Sequence, residues 1–77
     1  MSKQTLTANR KWIAYAGDSH VYLYTTNFCL EKILPLCDVG VTHISLHPTH
    51  PDLLACLLNN YQFEVWNVSS QVLVFRT

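Results

Sequence analysis

The sequence predicts an all-β fold of four-stranded antiparallel sheets, and three observations carry that prediction. No apolar period of about 3.6 residues persists over the ten or so positions that a helix needs. The chain instead shows seven short runs rich in β-branched and aromatic residues, each bounded by Asn, Asp, Pro, Gly or Ser. It also repeats itself: Tyr24 and Trp66 stand 42 residues apart, and Ala14 and Ala55 stand 41 apart.

Each run reads as one strand. Trp12–Ala16 leads into the turn Gly17-Asp18-Ser19, and Val21–Tyr24 into Thr25-Thr26-Asn27. Phe28–Leu34 is followed by Asp38-Val39-Gly40, and Val41–Leu46 by the stretch from Pro48 to Asp52. Leu53–Leu58 ends at Asn59-Asn60, Phe63–Trp66 ends at Asn67 to Ser70, and Val72–Phe75 closes the series. Several runs are continuously apolar, which predicts sheets buried on both faces. Trp12-Ile13-Ala14, Asp18 and Val21–Tyr24 are echoed by Leu53-Leu54-Ala55, Asn60 and Phe63–Trp66. A period of roughly 40–45 with four strands per unit is the signature of propeller blades. The expected division is therefore 1–35, an incomplete blade holding its second to fourth strands, and 36–77, a complete blade. Counting one repeat back from Leu46 reaches Gln4 or Thr5, so the first blade is expected to lack most of its innermost strand. Such a start is expected of a fragment, an alternative start or a splice product, and two blades alone leave two open faces.

Composition narrows the functional classes. Charged residues are only 13% of the 77 residues while hydrophobic ones are 49%, so much of the surface is expected to meet other protein. Five basic and five acidic side chains cancel, leaving no electrostatic footprint for nucleic acid or an anionic membrane. Two glycines argue against a phosphate-cradling loop. The longest apolar run, Leu53 to Leu58, is far below the ~20 residues of a membrane span. Lys3, Arg10 and Lys11 precede an apolar stretch too short for a secretory leader. Cys29, Cys37 and Cys56 are odd in number and form no C-x-x-C pair, so they read as reduced, buried thiols of an intracellular protein.

The second repeat resembles the WD-repeat β-propeller family. Val41-Thr42-His43-Ile44-Ser45-Leu46-His47-Pro48 looks like the innermost blade strand and its exit turn, and Leu53-Leu54-Ala55-Cys56 like the second strand. Asn59-Asn60 resembles the tight turn, and Phe63-Glu64-Val65-Trp66-Asn67 the third strand with its closing Trp-Asp pair. The family's Gly-His dipeptide is missing near Leu36-Cys37, Cys56 replaces a serine, and Asn67 replaces the aspartate. The His–Ser–Trp–Asp network of that family therefore cannot form. The approach from Pro35 to Asp38 and the run into His47-Pro48 are similar to the C-terminal propeller of the cirhin family. That resemblance implies a nucleolar scaffold within the small-subunit processome, acting in early pre-ribosomal RNA processing. The alternative is a WD-repeat adaptor of another pathway, such as a ubiquitin-ligase substrate receptor or a trafficking subunit.

The residues expected to matter are structural. Asp18 and Asn60 hold blade turns, where a short polar side chain bonds its own backbone. Trp66 and Asn67 close the third strand. Tyr61 takes a turn position usually held by glycine and is the expected partner contact. His43, His47 and His50 with Cys37 and Cys56 raise a metal hypothesis, but His43 sits within a strand while His50 lies beyond Pro48, so no metal site is assigned. No catalytic residue or cofactor site is assigned either. A cysteine nucleophile lacks a paired base, Cys56 lies in an apolar run that should raise its pKa, and the carboxylates are scattered singly. Arg10-Lys11-Trp12 is a weak RNA-stacking signal, and Trp12 is expected to pack within the blade. The tyrosines are read first as core and inter-blade packing. The expected partners are other proteins, with self-association of the isolated chain.

Overall fold

The computed structural model describes residues 3–17, 20–35 and 40–77. They form eight strands: β1 (Leu6–Ala8), β2 (Trp12–Ala16), β3 (His20–Thr25), β4 (Leu30–Pro35), β5 (Val41–Leu46), β6 (Leu53–Leu58), β7 (Phe63–Asn67) and β8 (Val72–Arg76). The strands make two four-stranded antiparallel sheets, ordered β1-β2-β3-β4 and β5-β6-β7-β8. Two blade-like units of this kind are the all-β architecture expected from the repeat.

The first sheet holds a strand that the repeat spacing did not anticipate. In β1, Thr7 pairs with Ala14, as Ser45 pairs with Ala55 in β5. Ala8 therefore takes the place of Leu46, which shifts the match away from Gln4 or Thr5. The cause is a shorter connection: three residues, Asn9 to Lys11, join β1 to β2, against six, His47 to Asp52, between β5 and β6. The innermost strand of the first unit is thus present, although only three residues long.

Burial alternates along β2 and β6, which places the core between the two sheets. From the first sheet, Trp12, Ala14, Ala16, Val21, Leu23 and Leu34 point inward; Ile44, Leu46, Leu54, Cys56 and Leu58 meet them from the second. Burial of each Leu or Val contributes about 1.5–3 kcal/mol relative to exposure. Val68, in the β7–β8 turn, is also fully buried, and its N–H donates to the Asp52 carbonyl at 2.8 Å. Each sheet buries one face only, contrary to the expectation from the continuous apolar runs. The reverse faces carry Leu6, Tyr15 and Ile33 on one sheet and Leu57, Phe63 and Phe75 on the other, all exposed.

The sheets are also joined by polar contacts. The Gln4 N–H donates to the Thr42 carbonyl at 3.0 Å and the Ile44 N–H to the Gln4 carbonyl at 2.9 Å, a parallel bridge between the innermost strands. The Leu46 N–H donates to Thr7 Oγ1 at 3.2 Å. Asn9 Nδ2 donates to the carbonyls of His47 and Pro51, at 2.9 and 3.1 Å. At the outer edge, Gln71 Nε2 reaches the Ile33 carbonyl at 3.4 Å.

Candidate interaction surface

The β6–β7 turn is built by Asn60. Its Oδ1 accepts the Gln62 N–H at 3.2 Å and its Nδ2 donates to Gln62 Oε1 at 3.0 Å, a local bond that fixes the turn. The next residue, Tyr61, adopts φ 65 and is 90% exposed. That dihedral lies in the left-handed region, which costs an L-residue roughly 1–2 kcal/mol and favours glycine. A large aromatic ring held there makes almost no contact with its own chain. Phe28, in the β3–β4 turn, repeats the arrangement, with φ 67 and 79% exposure. The sequence reading assigned Phe28 to a strand, because an aromatic beside Asn27 gives no sign of a positive φ.

Trp66 and Asn67 are the last two residues of β7. Asn67 Oδ1 accepts the Ser70 N–H at 3.0 Å and shapes the β7–β8 turn. Trp66 is half-buried, and its Nε1 donates to Glu64 Oε1 at 3.1 Å. Glu64 is 1% exposed and accepts Arg76 Nε on its other oxygen at 2.7 Å. Glu64 and Arg76 face each other across β7 and β8, and Glu64 and Trp66 share a face by strand alternation. This network links Trp66, Glu64 and Arg76. Its signal was the spacing Glu64-x-Trp66 opposite a basic residue, which an unaided reading takes for a solvated carboxylate.

A second carboxylate ties the sheets together. Asp52 Oδ1 accepts Trp12 Nε1 at 2.9 Å and forms an ion pair with Lys11 at 2.9 Å. The Trp12 hydrogen bond first, and then Lys11, hold the Asp52 carboxyl below its ordinary 3.8. Trp12 is buried as expected, with Lys11 Nζ 5.7 Å from its ring centroid.

The histidines separate. His47 Nδ1 accepts the N–H groups of Thr49 and His50, at 3.1 and 3.0 Å. The His47 and His50 rings lie 4.7 Å apart, while His43 is on the outward face of β5. Cys56 is fully buried, and that burial pushes its thiol up to about 12. Cys29 is exposed in the turn before β4, not buried as read, because Phe28 and Cys29 fall in the loop. The tyrosines are less enclosed than core packing implies: Tyr15 is 46% exposed and stacks on the half-buried Tyr22 at 6.3 Å between ring centroids. Asp18 and Cys37 lie outside the described residues.

No protein-family model matches the sequence, and no curated protein is significantly similar to it.

Proposed function

We propose that the chain is a non-catalytic WD-repeat-type scaffold that binds other proteins, acting in small-subunit ribosome biogenesis and pre-rRNA processing in the nucleolus. The observation that carries the scaffold reading is the placement of apolar groups. Two sheets with one buried face each leave Tyr15, Ile33, Leu57, Phe63 and Phe75 on open faces, and the turns present Tyr61 and Phe28 outward. Exposed aromatics on a rigid turn are favoured binding anchors, because little conformational entropy is lost when they are covered. The balanced charge favours protein over RNA as the direct partner. The pathway rests on the resemblance of the 35–48 stretch to the cirhin family.

Affinity purification of the tagged chain from nuclease-treated nuclear extract tests the pathway. Enrichment of small-subunit assembly factors supports it. Enrichment of ubiquitin-ligase or trafficking subunits moves the same surface to an adaptor role in another pathway.

A further inference from the structure

The two outward faces are unlike each other, and each copies a face that is already buried inside the chain. Leu23, at the sheet interface, corresponds in the repeat to Val65 on the outward face of the second sheet. Ala14, with no exposure at all, corresponds to the exposed Ala55. Thr7, whose hydroxyl accepts the Leu46 N–H across the interface, corresponds to the exposed Ser45, which offers a hydroxyl at the matching place. On the other side, Tyr15 and Tyr22 on the outward face of the first sheet correspond to Cys56 and Glu64, both buried against that sheet within the chain.

From this equivalence we propose that a second copy of the chain docks head to tail. The outward face of its first sheet covers the outward face of the second sheet, in the geometry that joins the two sheets internally. The contact is heterologous, so every association leaves one face of each kind free, and growth stops only where a ring closes. His43 Nδ1, buried without a hydrogen-bond partner among the described residues, lies on the face to be covered. Low charge leaves little to oppose the contact, since the exposed apolar residues of both faces are interrupted by few ionic side chains. This inference rests on the fold and not on the scaffold role, and its test contains no other protein.

The test is sedimentation of purified chain at micromolar concentration. Wild type is expected to run as a dimer or larger. Ala55→Arg on one face and Tyr15→Arg on the other should each give a monomer that keeps its β circular dichroism. An equimolar mixture of the two variants should then form a dimer and nothing larger, through the one intact face that each contributes. A monomeric wild type, a variant that still associates alone, or a folded mixture that stays monomeric each overturns the proposal. Should either arginine unfold the chain, Phe75→Glu and Leu6→Glu make the same comparison at exposed positions of the same two faces.

Discussion

Removing one half of the Glu64–Arg76 pair should have a strongly asymmetric effect on stability. Glu64 is 1% exposed whereas the Arg76 side chain is 52% exposed, so only the carboxylate depends on its partner for solvation. Arg76→Met leaves a buried carboxylate with a single neutral donor, Trp66 Nε1 at 3.1 Å. Losing one partner of a fully buried pair costs ~3–5 kcal/mol; water can enter where Arg76 was, so about 2–4 kcal/mol is expected here. Glu64→Gln keeps an acceptor for Trp66 and frees an arginine that is already half in water, which should cost only about 1 kcal/mol. The double variant should recover most of the Arg76→Met loss, because no charge is then left buried. Urea unfolding followed by tryptophan fluorescence gives the three differences, provided that one chain concentration is used throughout, since association adds to apparent stability. Equal costs for the two single variants, or a double variant worse than Arg76→Met, would refute the idea that burial of Glu64 governs this corner of the sheet.

Four further outcomes follow from the geometry. Trp12→Phe keeps the ring in the core but removes the Asp52 hydrogen bond, and should cost about 1–2 kcal/mol by thermal melting at neutral pH. Because the folded-state carboxyl of Asp52 titrates below 3.8, its stabilisation is full above that value and is lost as pH falls through the lower one. The melting temperature of Asp52→Asn should accordingly respond less to acid than that of wild type, and an unchanged acid limb would contradict the assignment. Trp66→Ala should cost about 2–3 kcal/mol, below the ~3–5 of a fully buried tryptophan, since the ring is only half-buried. Thiol labelling mapped by mass spectrometry should modify Cys29 within minutes and Cys56 only on unfolding; rapid labelling of Cys56 would place it outside the core.

Strand identity was readable because each run is short, β-rich and bounded by turn residues, and because the repeat doubles every signal from Trp12 to Val74. Strand β1 was not, since Leu6-Thr7-Ala8 is too short to show a period and the spacing count assumed equal turns in both repeats. The run Val21–Tyr24 carries apolar or aromatic residues on both sides, so sequence alone could not say which face the chain itself covers. That depends on the second sheet, whose inner strand lies against β1 and β2. Asn60 and Asn67 were legible as turn residues because a short amide that bonds nearby backbone is a local property. The Glu64–Arg76 pair and the contacts of Asp52 with Trp12 and Lys11 were hidden for the opposite reason, as each joins residues that only pairing between strands or sheets brings within 3.2 Å.

The claim that the chain works by presenting a protein-binding turn is met most directly by Tyr61→Gly. Glycine accepts φ 65 without the roughly 1–2 kcal/mol borne by tyrosine, and its own entropic cost of about 0.5–1 kcal/mol offsets part of that gain, so the substitution removes the ring without destabilising the fold. The measurement is the quantity of each partner protein that co-purifies with Tyr61→Gly relative to wild type, at matched stability and in nuclease-treated extract. Loss of an anchor contributing about 2 kcal/mol lowers affinity roughly 30-fold, so partners should fall to a small fraction of their wild-type yield. Full recovery of every partner by Tyr61→Gly would contradict the account.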